Sequence, residues 1–174
     1  GAATLSADEV IHRLYREPDV VGAVVRRFGS DVLGADGQVD RARLGRMVFG
    51  DPEGMAFLER LLHPRVGAER ERWLAERARE PHPPAVVVCE VPLLFEVGAE
   101  DQFDVVAVVS APEQVRRARV EARGQDFAAR AARQLPEEAK LARADERYVN
   151  DGTLADLEDW VADVLARRGR GGGT

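Results

Sequence analysis

Val86-Val87-Val88-Cys89-Glu90-Val91-Pro92-Leu93-Leu94-Phe95-Glu96 is an unbroken apolar run that meets one acid and then a proline. Its β-branched content and length predict a buried strand over Val86 to Val91, with Glu90 carried at the strand's C-terminal end. Continuous runs of this kind belong to parallel sheets covered on both faces, and such sheets bind ligands in the crevice beyond the strand C-termini. Glu90 is therefore expected where chemistry is done.

Working upstream, Glu80 to Pro84 reads as a proline-rich loop. Before it, Asp51-Pro52-Glu53 starts a long amphipathic helix reaching about Arg79 through Met55, Leu58, Leu61 and Leu62, which His63-Pro64 is expected to interrupt. Asp40 caps a helix ending near Gly50, Asp36-Gly37 is a turn, and Pro18 opens a helix stopped by Gly29. Ala3-Thr4-Leu5 reads as a short strand that gives way to a helix through a capping box at Ser6-Ala7-Asp8-Glu9.

Downstream, a second buried strand is expected at Phe103 to Val109, followed by an arginine-rich helix from Ala111-Pro112-Glu113 to Gly124. Asp126 to Gln134 and the segment after Pro136 read as further helices, and Arg147-Tyr148-Val149 as a last strand. Thr153 caps a C-terminal helix with its apolar face on Leu154, Leu157, Trp160, Val161, Val164 and Leu165. Strands alternating with helices predict an α/β fold with a parallel sheet. A single domain over 1–168 and a disordered tail over 169–174 complete the expected organisation.

Composition narrows the function classes. The 174 residues carry a net charge of −6, which argues against a general nucleic-acid binder. One cysteine, Cys89, cannot form an internal disulfide, and no apolar stretch is long enough to cross a membrane, so a soluble cytoplasmic protein is expected. The cations are nearly all arginine, with Lys140 the only lysine.

Asp8, Glu90 and the arginines after the Phe103 to Val109 strand are all placed at strand ends or just beyond. Phosphoryl transfer needs groups of this kind: a carboxylate to take the proton of an attacking hydroxyl, an acid associated with a metal, and arginines to neutralise the migrating group. Each also has a plainer reading. Asp8 suits the positive end of a helix dipole. Arg119 and Arg123, one turn apart, can grip phosphates or pair with Glu113 and Glu121. His63 beside Pro64 suits a helix kink, without metal-ligand neighbours.

Taken in order, Ala7-Asp8, Arg27-Phe28-Gly29, Asp36-Gly37-x-x-Asp40-Arg41, Val48-Phe49-x-Asp51-Pro52-Glu53, Leu62-His63-Pro64, Val91-Pro92-Leu93-Leu94-Phe95-Glu96, Gln134-x-Pro136-x-Glu138-x-Lys140, Ala144-Asp145 and Asn150-x-Gly152 resemble the dephospho-coenzyme A kinase family along nearly the whole chain. The resemblance implies a P-loop kinase-like parallel sheet with flanking helices, and transfer of the ATP γ-phosphate to the ribose 3′-hydroxyl of dephospho-CoA with Mg2+. It implies Asp8 as catalytic base, and His63 with Pro92, Leu93, Leu94, Phe95 and Glu96 on the acceptor side. Arg119 and Arg123 fall on the lid, Asn150 near the adenine, and Glu90 where an acid supports the metal indirectly. The implied partners are ATP and dephospho-CoA, with neither nucleic acid nor membrane.

Three departures accompany the resemblance. Ser6 stands where many relatives carry aspartate. The region from Gly124 to Gln134 is shorter than usual, which makes Arg130 and Arg133 lid candidates as well. The Gly-x-x-x-x-Gly-Lys-Ser/Thr loop that cradles phosphates, together with the central strand before it, is absent from these 174 residues. Without that strand, two strand pairs with unpaired backbone groups are expected in place of one sheet. A coenzyme A-binding pseudoenzyme and another small-molecule or nucleotide kinase are the alternative functions.

Overall fold

The computed structural model describes residues 2–169, which divide into two compact units, one ending at Val91 and the other beginning at Pro92. Beyond Gly169, the expected tail lies outside the described residues.

In the first unit, β1 (Ala3–Ser6) runs without a loop into α1 (Ala7–Leu14). α1 is amphipathic: Val10 and Leu14 are buried four residues apart, while Asp8, Glu9, His12 and Arg13 are exposed. Ser6 is the N-cap, yet its side chain caps nothing, so the expected capping box is not formed. α2 (Pro18–Phe28) begins at its proline and ends at Gly29, whose φ of 85° is cheap only for glycine. α3 (Arg41–Val48) is capped by Asp40, which accepts the Ala42 and Arg43 N–H groups.

α4 runs unbroken from Pro52 to Ala78, which corrects the expected interruption at His63-Pro64. Proline removes one backbone donor from a helix interior and crowds the preceding turn. Here Arg65 Nη1 donates to the Leu61 carbonyl at 2.8 Å within that turn, and Arg65 also holds Asp19 of α2 at 2.7 Å. Val10, Val20, Val24, Leu44, Leu58 and Leu62 bring α1 to α4 together in one core.

β2 (Val87–Glu90) pairs in parallel with β1, with Leu5 opposite Cys89 and Ser6 opposite Glu90. In the second unit, β3 (Ala107–Ser110) pairs in parallel with β4 (Glu146–Val149). Among the described residues two parallel strand pairs are therefore present, as expected for this sequence. The expected full burial of the apolar runs is not. Val88 is 42% exposed and Val109 51%, and β3 is shorter than Phe103 to Val109. An apolar run reports that a strand suits a two-sided core; among the described residues each strand has only one neighbour, so its faces are thinly covered.

The second unit also contains α5 (Glu113–Glu121), α6 (Phe127–Ala131), α7 (Glu137–Arg143) and α8 (Leu154–Arg168). Thr153 and Asp156 form a reciprocal capping box on α8. Its buried apolar residues are few, chiefly Phe95, Val106, Ala111 and Ala144, and Tyr148 stacks on Trp160 with ring centroids 5.1 Å apart.

Candidate active site

Asp8 is delivered by the β1 to α1 junction. Because Ser6 lies opposite Glu90 in the parallel register, Asp8, two residues further on, and Glu90 share one end of the same strand pair. Both are exposed. Glu90 does not line the cleft into which Asp8 opens.

Asp8 opens into a cleft of ≈ 330 Å³ lined also by Glu9, His12, Arg13 and Arg41. A second cleft of ≈ 260 Å³ shares His12 and Arg41 and continues over Tyr15, Gly34, Gln38 and Asp40. Sequence reasoning assigned no role to His12, Arg13, Tyr15, Gln38 or Arg41. A signal was there: Asp8 and His12 are four apart on one helix, hence on one face. The Tyr15 phenol is pushed up by burial, with the Arg41 charge acting in the opposite direction.

His63 lies on the exposed side of α4 and lines neither cleft. Cys89, beside Glu90, is a half-buried thiol pushed up by burial against the opposing charge of Arg70, so its thiolate is disfavoured.

The second unit holds the remaining candidates. Pro92 to Glu96 forms a tight turn in which the Ala99 N–H donates to the Leu94 carbonyl at 3.1 Å. Phe95 is buried under the Arg143 guanidinium, 4.9 Å from its ring centroid. Glu96 accepts Lys140 Nζ at 2.7 Å and the Leu135 N–H at 2.9 Å. That pair is only 14% exposed on either side, so Glu96 and the lone lysine are committed to each other. Burial alone would raise the Glu96 carboxyl; the donors outweigh it and hold the group below its ordinary range.

On α5 the ion pairs to Glu113 and Glu121 are made by Arg117, and Arg116 pairs with Glu137. Arg119 and Arg123 are exposed and pair with neither acid, which leaves them available to a ligand. Asn150 follows β4, and its N–H donates to the Ser110 carbonyl at 2.8 Å, tying the C-terminal ends of β3 and β4 together.

Parallel strand pairs flanked by helices define an α/β protein, and the family that matches it is one of kinases. A family profile described as dephospho-CoA kinase matches residues 1–156. The chain belongs to the dephospho-CoA kinase family. The dephospho-CoA kinase of Frankia casuarinae is 41% identical, covering 97% of this chain and 75% of that protein. That of Streptomyces avermitilis is 42% identical, covering 95% and 82%. Among solved structures, a Thermus thermophilus protein superposes with a TM-score of 0.74 at 37% identity, covering 96% of this chain and 85% of its own. The dephospho-CoA kinase of Campylobacter jejuni gives 0.70 at 26% identity, covering 99% and 88%.

Proposed function

We propose that residues 1–168 serve as one kinase domain that transfers the γ-phosphoryl group of ATP to the ribose 3′-hydroxyl of dephospho-CoA. The observation that carries this reading is the position of Asp8, two residues beyond the Ser6–Glu90 pair that closes a parallel strand pair, and facing a cleft with unpaired arginines. In the reaction, Asp8 takes the proton of the 3′-hydroxyl as that oxygen bonds to the γ-phosphorus. The bond from the γ-phosphorus to the β,γ-bridging oxygen breaks, and ADP leaves with its electron pair. Arg119 and Arg123 offer exposed guanidinium groups for the phosphates, Asn150 lies at a strand end suited to the nucleotide base, and Pro92 to Phe95 supply a rigid turn for the acceptor. Glu96 acts through Lys140, as a support for that turn.

Mg2+ ordinarily keeps most of its waters and takes one or two carboxylates plus substrate phosphates, and the exposed carboxylate of Glu90 at the end of β2 is a donor of that type. Glu90 would hold a magnesium-bound water, and the ion would supply charge neutralisation at the β and γ phosphates. The reading places the protein in the cytoplasm, with ATP and dephospho-CoA as its small-molecule partners and a free Cys89 in keeping with a reducing compartment. No helix among the described residues is long and apolar enough to cross a membrane.

A test is to express the protein from its complete reading frame and measure ADP release with ATP and a panel of acceptors. Dephospho-CoA is expected to be used well above adenosine, AMP and other nucleotides. Preference for a different acceptor would contradict the assignment.

A further inference from the structure

Arg41 differs from five arginines of the first unit. Arg27, Arg43, Arg65, Arg72 and Arg77 each hold a carboxylate at distances from 2.5 to 3.7 Å. The Arg41 side chain makes no ion pair or hydrogen bond among the described residues, although Asp40 is its chain neighbour. Asp40 is instead occupied by the Ala42 and Arg43 N–H groups and the Arg43 guanidinium, and Asp36 by the Gln38 N–H. Arg41 is thus an unspent cation shared by two adjoining clefts, with His12 in both and Arg13 in the one that holds Asp8.

A second observation lies deeper in the same place. Gln38 Oε1 is buried without a hydrogen-bond partner among the described residues, a state that disfavours the empty site. Turning the amide over would exchange an orphan acceptor for an orphan donor. The Tyr15 side chain, buried and on the same cleft, likewise makes no hydrogen bond among the described residues. The loop that presents Gln38 is tied down at three points. Gly34 N–H donates to the Gln38 carbonyl at 2.8 Å, Asp40 N–H to Val32 at 2.8 Å, and Arg43 Nη1 to Leu33 at 2.7 Å. A prearranged loop with unsatisfied polar groups is what ligand sites spend their stability on.

We propose that Arg41, supported by His12 and Arg13, binds the diphosphate of the acceptor next to Asp8, and that Gln38 and Tyr15 receive the neutral, amide-bearing arm beyond it. This rests on the kinase reading and deepens it. The acceptor has the matching order of groups: a sugar hydroxyl for Asp8, then two phosphates, then a chain with amide donors and acceptors. Arg41 is then a specificity residue, separating acceptors with a diphosphate from those that share only the sugar. A planar guanidinium suits phosphate oxygens bidentately, which a lysine does not reproduce in full.

Calorimetric titration of the protein from its complete reading frame tests this, with dephospho-CoA, adenosine and inorganic pyrophosphate as probes. Arg41→Gln is expected to weaken dephospho-CoA and pyrophosphate by about 10- to 100-fold, with adenosine and ATP unchanged; Arg41→Lys recovers part of the loss. Gln38→Leu is expected to weaken dephospho-CoA but leave pyrophosphate as it was. Arg26→Gln, an exposed α2 arginine outside the clefts, changes neither. Wild-type affinity for dephospho-CoA in Arg41→Gln overturns the subsite, and so does an equal loss for adenosine, which would mean general disruption. Absence of dephospho-CoA binding by the wild type, with pyrophosphate still bound through Arg41, overturns the kinase reading and leaves the anion site standing.

Discussion

Lys140 and Glu96 show how a single pair can redirect a functional reading. As the one lysine in the chain, Lys140 is the only side chain that could mimic the phosphate-reaching lysine of a nucleotide loop, and it is spent on Glu96. Lys140→Ala would leave the Glu96 charge largely buried with one N–H donor, and is expected to destabilise by about 2 kcal/mol in urea unfolding. The pair also carries a pH dependence. Since the folded carboxyl is held below its ordinary range, its stabilising contribution is present above about pH 4.3 and is lost as pH falls through the folded value. Unfolding midpoints taken on descending from neutral pH should therefore fall more in the wild type than in Lys140→Ala. An equal fall in both would remove Glu96 from that role. Neither the burial of this pair nor the vacancy of Arg41 was legible in the sequence, because both depend on which of many arginines and acids meet in space.

Helices were the most legible elements, and their ends explain why. Pro18, Asp40, Asp51, Pro112, Pro136 and Thr153 all mark helix starts, each through a local rule that needs no tertiary knowledge. Asp51 accepts the Gly54 N–H at 3.0 Å and faces Arg27 at 3.7 Å. Asp51→Ala is expected to cost about 1 kcal/mol, while Asp51→Asn retains most of the cap; denaturant midpoints separate the two. Ser6 failed as a cap although its sequence suited one. It belongs to β1, and the strand register with Glu90 fixes its backbone before the helix begins. Pro64 failed as a breaker because α4 is held on both sides of it by Leu58, Leu62 and the Arg65 contacts, so packing overrides a propensity cost of about 3 kcal/mol. The strands were legible in position but not in burial, since the number of neighbours that cover a strand is not written in its own residues.

At the scale of the whole molecule, the two units differ in how they are held. The first is packed around fully buried valines such as Val10, Val20, Val24 and Val32, whereas α5, α7 and α8 bury no residue fully. The second unit leans instead on partly exposed ion pairs, among them Arg168 with Glu146 at 2.8 Å, and such pairs contribute little each. Amide hydrogen exchange should accordingly show slower exchange in α2 and α4 than in α5 and α7; the reverse order would contradict this account of where stability lies. The placing of Asp8 and Glu90 at one end of a strand pair was legible in the sequence, whereas a cleft formed between helices was not. These 174 residues carry no Gly-x-x-x-x-Gly-Lys-Ser/Thr sequence, and with Lys140 committed they are expected to turn over ATP negligibly by themselves. The central claim is that Asp8 takes the proton of the acceptor hydroxyl. Its most direct test compares wild type and Asp8→Asn in the protein from its complete reading frame, measuring turnover of dephospho-CoA together with its dissociation constant. The account predicts a fall in kcat of about 100- to 10,000-fold with dephospho-CoA still bound at near wild-type affinity; unchanged turnover in the variant would contradict it.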